Sequence, residues 1–157
     1  MKLVENTKIV TGLAPIAPSS STPDYVSLEN YRHLTAIIVA DNGSTVTGSA
    51  ITLKQAIAAA GTDEKALGFD YVWANTDTGA ADTLTKTAVT SNTFDTDDTD
   101  NKNLMYVIEV DASKLDLANS FDWVRVGTGD GTNTVLSVTY ILSSPRYAQA
   151  TPPTAIA

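Results

Sequence analysis

Short apolar runs recur along the chain, and segments rich in glycine, aspartate, asparagine, serine and proline separate them. In residues 136–142, "LSVTYIL", an apolar side chain occupies every second position, which is the period of a strand with one buried face. The runs predict strands near residues 8–13, 25–28, 34–40, 49–55, 67–74, 84–93, 104–111, 121–127 and 135–142. This spacing of short strands and turns predicts an all-β fold, an antiparallel β-sandwich or jelly roll of about eight or nine strands.

Two segments have a helical alternative. Residues 52–67, "TLKQAIAAAGTDEKAL", contain good helix formers, and Gly61 is suited to the position that follows a helix. The pattern therefore leaves strand and helix open in this segment. Residues 111–119, "DASKLDLAN", predict a short helical turn that Asp111 or Ser113 caps.

The two ends of the chain contain all of its prolines, at positions 15, 18, 23, 145, 152 and 153. Proline fixes φ and lacks a backbone donor, so both ends are predicted to be extended. We therefore divide the chain into an extended N-terminal arm (1–24), a β-sandwich domain (25–143) and an extended C-terminal tail (144–157). Extended segments can add to the edge of another protein's sheet. The candidate partner-binding residues are Leu13, Pro15, Ile16, Pro18, Pro145, Arg146, Tyr147, Pro152 and Pro153.

The charge of the chain bears on its partners. The 157 residues have a net charge of −8, and the ten lysines and arginines are scattered without a basic run. Nucleic-acid binding needs cationic groups that displace counterions, so no nucleic-acid partner is expected. No window reaches the roughly 18 consecutive apolar residues of a membrane span, so no membrane partner is expected. The absence of cysteine excludes disulfides and thiolate chemistry.

Four aspartates fall within residues 94–103, "FDTDDTDNKN", and Asp95, Asp97, Asp98 and Asp100 are candidate ligands for Ca²⁺. An EF-hand loop needs a glycine at its sixth position and a glutamate at its twelfth. Counted from Asp95, these positions hold Asp100 and Tyr106. The pattern thus favours a solvated hairpin loop over a calcium site, and we expect neither a metal nor a cofactor.

Other motifs give little support for catalysis. Residues 127–133, "GTGDGTN", precede a predicted strand, whereas a phosphate-binding loop precedes a helix. His33 is the only histidine of the chain, and no serine lies in a nucleophile-elbow motif. We therefore expect that the protein is not an enzyme.

The aromatic residues Tyr71, Trp73 and Trp123 have two interpretations. They could form a platform on which a sugar stacks, or they could fill the core of the sandwich, where aromatic side chains contribute most of the burial. The core is favoured for Trp123, and the position of Trp73 is left open.

Several stretches resemble a group of small virion structural proteins of tailed bacteriophages, and together they cover nearly the whole chain. The stretches are "LVENTKIVTGLAP", "DYVSLENYRHLTAIIV", "GFDYVWANTDTGAADTLTKTAVTSNTF", "YVIEVDASKLD", "FDWVRV" and "SVTYILSSPRYAQATPPTAIA". The first and the last are the most specific, because strand patterning does not demand their residues.

This resemblance implies a capsid-associated role without catalytic residues. It points to a decoration or cement protein that binds the outer surface of the head and stabilises the lattice of the major capsid protein. We expect a homotrimer at three-fold positions of the shell, assembled in the host cytoplasm. The alternatives are a tail or head–tail joining protein and a carbohydrate-binding β-sandwich displayed on the virion.

Overall fold

Strands with alternating apolar side chains pair into two antiparallel sheets. The computed structural model describes residues 2–147 and 151–156, and in these residues the chain is an all-β sandwich. The strands are β1 (Lys8–Ile16), β2 (Val26–Ser27), β3 (Tyr31–Thr47), β4 (Ala50–Ala56), β5 (Lys65–Ala66), β6 (Tyr71–Asn75), β7 (Thr85–Ala88), β8 (Thr93–Asp95), β9 (Asn103–Asp111), β10 (Trp123–Thr128) and β11 (Thr132–Pro145). The predicted all-β antiparallel sandwich is thus confirmed.

The larger sheet has the strand order β1-β11-β3-β9-β6-β7, and the smaller sheet has the order β2-β10-β4-β5, with β8 paired to β4. The helical elements are short: α1 (Leu3–Asn6) and two 3₁₀ turns at Ala112–Lys114 and Leu117–Asn119. The two 3₁₀ turns lie in the segment where a short turn was predicted. No helix within the described ranges has the length and apolarity that a membrane crossing requires.

The core lies between the inward faces of the two sheets. Every second residue is buried over 34–42 of β3, 104–110 of β9 and 134–142 of β11, and the facing side chains come from β4 and β10. The largest of these side chains are Tyr31, Tyr140, Leu34, Leu53, Leu104, Ile38, Ile51, Ile108, Leu136 and Leu142. Strict alternation sets which face of each strand is apolar, and so it fixes the register of the sandwich.

A buried tyrosine connects the two sheets. The Tyr140 side chain of β11 is completely buried, and its hydroxyl accepts a hydrogen bond of 2.9 Å from the Val126 N–H of β10. A Cβ on Gly12 would lie 2.2 Å from Cε2 of this ring, so the glycine leaves the space that the ring occupies. Burial raises the pKa of the Tyr140 hydroxyl, because the anion would lose its solvation.

The sequence left strand and helix as alternatives for residues 52–67, and the structure shows that this segment begins as a strand. Strand β4 continues to Ala56 and lies between β10 and β5, and Gly61 occupies the turn that follows, with φ of +77°. The predicted strand at 84–93 divides into β7 and β8, which belong to different sheets.

The predicted N-terminal arm differs from the structure over most of its length. It contains the helical turn α1 and then β1, which pairs with β11 at one edge of the larger sheet. The backbone of residues 8–16 is extended as expected, but this segment belongs to the sandwich. The sandwich domain therefore begins before residue 25, where the sequence placed its start. Residues 17–24 of the predicted arm lie outside regular structure and lead from β1 of the larger sheet towards β2 of the smaller sheet.

The two edges of the larger sheet are irregular or short. The register between β1 and β11 shifts twice, between Thr11 and Leu13 and between Leu13 and Ile16. At the opposite edge, β7 has four residues, all of them exposed.

Candidate functional site

The outer face of the larger sheet carries a group of apolar side chains among polar ones. The strand register places Thr11, Thr139, Ile37, Val107 and Trp73 in one row that crosses five strands. Neighbouring rows add further apolar side chains. We call the following set the outer apolar face: Ile9, Ile37, Val39, Trp73, Met105, Val107 and Ile141.

These side chains point away from the core and reach solvent. Ile9, Val39 and Trp73 are 45%, 39% and 37% exposed, and the others are half-buried among their neighbours. A sheet with one solvated face normally carries polar residues there. Contiguous apolar patches mark sites where another protein binds when they exceed a few hundred Å².

The outer apolar face is smaller than a standard protein–protein interface. Each outward position of a sheet covers about 33 Å², from strands ~4.8 Å apart and ~6.8 Å between alternate residues. Its seven members therefore cover roughly 230 Å², against about 800 Å² per partner in a standard protein interface. A stable complex through this face needs additional contacts from surrounding residues.

The sequence carried a signal for this face that strand alternation does not explain. Residues 34–40, "LTAIIVA", and residues 104–108, "LMYVI", are nearly continuous apolar runs. Continuous runs are typical of strands that are covered on both faces. Among the described residues, one face of β3 and β9 is covered by the smaller sheet, and the other face carries part of the outer apolar face.

An aromatic groove of about 280 Å³ lies at one end of the outer apolar face. Tyr71 and Trp73 line it and are exposed, together with the carboxylates of Glu109 and Asp111. The Lys86 ammonium lies 3.8 Å from the ring centroid of Tyr71 and 5.5 Å from that of Trp73. The exposure of the two rings fits a sugar platform, but a lysine of the same chain lies over them.

Polar contacts hold the carboxylates of this groove in place. The Nδ1 atom of His33 is 2.9 Å from an Asp111 oxygen, and the Thr35 hydroxyl donates to Glu109 at 3.3 Å. Lys114 forms an ion pair with Asp70. His33 thus lies beside carboxylates on the outer surface, next to the apolar rows.

Trp123 does not lie in the core, so the interpretation favoured from the sequence is wrong. Val124 and Val126 are fully buried, and the alternation of β10 directs Trp123 and Arg125 to the outer face of the smaller sheet. Trp123 is half-buried there. Phe121, which precedes the strand, is also buried, so Trp123 is the one apolar residue of "FDWVRV" outside the core, and the alternation did not show this.

The aspartates of the acidic loop organise the backbone. Asp97 accepts a hydrogen bond of 2.9 Å from the Thr99 N–H, and Asp100 accepts one of 2.9 Å from the Val46 N–H. Bonds from the backbone of Val46 and Thr45 lower the pKa of the Asp100 carboxyl. Asp95 is exposed in β8, and Asp98 is exposed beyond it.

A buried asparagine that the sequence did not single out holds this loop. Asn42 of β3 donates to the carbonyls of Asp97 and Thr99, both at 3.0 Å, and accepts from the Thr134 hydroxyl at 2.8 Å. Within residues 2–147 and 151–156, no three acidic or histidine side chains are grouped so that they could hold a metal ion. The loop is held by Asn42 and by the bonds of its own aspartates to backbone N–H groups.

The candidate partner-binding residues of the N-terminal arm divide into two groups. Leu13 is buried in the core, and Pro18 is also buried, so these two residues serve the fold of this chain. This corrects their assignment to partner contacts. Pro15 is exposed and Ile16 is half-buried.

The candidate residues of the tail also divide. Pro145 pairs with Tyr31 at the end of β11, whereas Arg146 is exposed and Tyr147 is 68% exposed. Pro152 and Pro153 are half-buried. Positions 148–150 and 157 of the predicted tail, and position 1 of the predicted arm, lie outside the described residues.

Residues 151–156 lie along the body of the sandwich. The Tyr31 hydroxyl donates to the Pro153 carbonyl at 2.5 Å, and the Ser27 N–H donates to the Ala155 carbonyl at 2.8 Å. Ala155 is only 1% exposed. The segment therefore covers the β2 edge of the smaller sheet.

Comparisons with protein-family models, with curated proteins and with solved structures return no match to this chain. The functional interpretation consequently depends on the geometry described above and on the resemblance found in the sequence.

Proposed function

We propose that this chain is a non-enzymatic structural protein of a tailed-phage virion, which decorates the outer surface of the head and stabilises the lattice of the major capsid protein. The observation that carries the proposal is the outer apolar face, whose exposed side chains cross five adjacent strands. Such a surface is costly in water and favourable when another protein covers it.

The rigidity of the body supports the same role. A cement protein transmits load between its neighbours, so it needs a body that does not deform. The core of this chain is continuous, and the Tyr140–Val126 hydrogen bond joins its two layers. Closely packed β layers of this kind have low compressibility.

The area of the outer apolar face supports an assembly with more than one contact. Because that face is smaller than a standard interface, the exposed residues Arg146 and Tyr147 are proposed to add to it. The proposed assembly is a homotrimer at three-fold positions of the shell, where three copies multiply weak contacts through avidity. Its partner is the major capsid protein.

The test uses heads that were assembled without this chain and measures the occupancy of added protein by co-sedimentation. Val39→Lys places a charge within the outer apolar face and is expected to lower occupancy by about tenfold or more, because a buried unpaired charge is strongly unfavourable. Leu117→Lys is the matched control, since Leu117 is similarly exposed but lies in a 3₁₀ turn elsewhere. Light scattering on the free protein measures whether it is a trimer.

Equal occupancy of both variants on the heads would contradict the role of this face. Absence of binding by the unmodified chain would contradict the decoration role itself. If the chain is present in six or twelve copies per particle, the tail or head–tail joining alternative is correct instead.

The exposure of Tyr71 and Trp73 supports a second candidate, glycan binding. Its test is fluorescence quenching by oligosaccharides in Trp123→Phe, which leaves Trp73 as the single tryptophan. Saturable quenching would favour the glycan-binding alternative, and its absence would count against it.

A further inference from the structure

The aromatic groove contains a cation of the chain itself. The Lys86 ammonium lies 3.8 Å from the ring centroid of Tyr71 and 5.5 Å from that of Trp73. The face of an aromatic ring carries negative partial charge and attracts a cation within about 6 Å of the ring centroid, and tryptophan attracts it most strongly. The contact shows that these two rings are positioned to hold a positive group.

Space is left in the groove beside this ammonium. Lys86 is one of the lining residues, so the volume of about 280 Å³ remains with its side chain in place. Little fixes that side chain, because Lys86 belongs to β7, whose four residues are all exposed. A lysine side chain also loses much rotamer freedom when it is held in one position. A second cation therefore enters beside Lys86 or takes its place.

One carboxylate of the groove has no lysine or arginine partner. Asp70 and Asp111 line the groove and are paired with Lys114 and His33, respectively. Glu109 also lines it, and within the described residues it forms no ion pair with a lysine or an arginine. Nε2 of His33 is 3.7 Å from the Glu109 carboxylate, and the Glu109 side chain is 53% exposed. Glu109 thus offers a charged acceptor in the same groove as the two rings.

The balance of charge in the groove favours a cationic ligand. Three carboxylates and two lysines line it, which leaves one negative charge in excess, and two when Lys86 has moved away. An anion would meet the three carboxylates, and a neutral sugar would gain nothing from the excess charge. A lysine or arginine side chain has an apolar stem for the rings and a charged head for Glu109, so it matches both parts of the lining.

We propose that the aromatic groove binds the lysine or arginine side chain of a neighbouring protein through the rings of Tyr71 and Trp73 and the Glu109 carboxylate. The choice of a protein over a free amine rests on the proposed function, because Trp73 belongs both to the groove and to the outer apolar face. The affinity of the groove for a cation does not depend on that role and is measured without heads.

The test follows the fluorescence of Trp73 in the Trp123→Phe chain, which contains no other tryptophan. The probes are N-acetyl-arginine amide and N-acetyl-citrulline amide, which have nearly the same shape but differ by one charge, and sodium chloride keeps the ionic strength constant. We expect saturable quenching by the arginine probe, with a dissociation constant on the order of millimolar. The citrulline probe should bind more weakly by about fivefold or more.

Equal affinity for the two probes, or a response to the arginine probe that grows linearly, would overturn the proposal. Quenching by oligosaccharides without quenching by the arginine probe would also overturn it and would favour glycan binding. The titration uses no heads, so its failure is distinct from a failure of the decoration role. A chain that passes the titration but does not bind heads contradicts the decoration role and retains the cation site.

Two pairs of variants in the same background test the assigned residues. Lys86→Ala removes the competing ammonium and is expected to tighten binding of the arginine probe about threefold, whereas Lys2→Ala, outside the groove, should leave it unchanged. Glu109→Gln keeps the size of the side chain and is expected to weaken binding about threefold, whereas Asp98→Asn, an equal loss of charge in the acidic loop, should not. If either groove variant binds the probe as its control does, the role assigned to that residue is wrong.

Discussion

Replacing Tyr140 by phenylalanine removes one oxygen from the middle of the sandwich and leaves the ring in place. The hydroxyl is completely buried and accepts the Val126 N–H at 2.9 Å. Without it, that N–H is buried without its partner, which costs about 1–3 kcal/mol. In a chain of this length, 1 kcal/mol corresponds to roughly 2–4 °C in Tm, so we expect a fall of roughly 2–12 °C.

The assay is urea unfolding followed by tryptophan fluorescence, which gives the free energy of unfolding and the m value. We expect a lower free energy of unfolding with the same m value, because the surface exposed on unfolding is unchanged. Tyr71→Phe is the matched control, since Tyr71 is exposed, and its effect should stay within about 0.5 kcal/mol. Equal stability of Tyr140→Phe and the control would refute the idea that this hydroxyl joins the two sheets.

The same variant has a pH signature. Burial raises the pKa of Tyr140 in the folded chain, whereas in the unfolded chain it stays near 10. Above that pH the unfolded chain releases the proton and the folded chain retains it, so the free energy of unfolding falls as pH rises. The contribution of this group is about 1.4 kcal/mol per pH unit, and it should be absent in Tyr140→Phe. Identical pH slopes above pH 10 in the two proteins would contradict the burial of this hydroxyl.

Three further changes test other parts of the structure by the same urea assay. Gly12→Ala should lower the free energy of unfolding by about 1–3 kcal/mol, because the added methyl group meets a buried ring, whereas Gly68→Ala has open space around it and should be nearly neutral. Ala155→Arg should destabilise the chain by about 2 kcal/mol or more, since its site is buried, while Thr154→Arg on the surface should not. Asn42→Ala should cost about 2–4 kcal/mol through its three lost hydrogen bonds and should speed amide exchange in residues 97–99, and unchanged exchange there would contradict its role in the loop.

The strand pattern was readable from the sequence because burial on one face produces a period of two. Each of the nine predicted strands overlaps an observed one. The division of 84–93 into β7 and β8 was not readable, because it depends on which sheet each half joins. The two-residue strand β5 was missed, since two residues show no period.

The candidate sites were harder to predict from the sequence than the strands. The prolines predicted extended backbone over the first 24 residues, and this is correct for β1 but wrong for α1 and for the turn at residues 17–20. An extended segment also pairs with its own sheet as readily as with a neighbour. The outer apolar face combines side chains from five strands, and two of its members, Ile9 and Ile141, are more than 100 positions apart in the chain. No local pattern shows which strands become neighbours across such a distance.

The irregular edges of the larger sheet restrict how copies of this chain can associate. A flat edge with free backbone groups recruits further strands and leads to open-ended polymers. Here the double register shift of β1 and the four exposed residues of β7, with Lys86 among them, offer a poor template for such growth. Even at high concentration, growth of fibres through the edges of the larger sheet is therefore disfavoured.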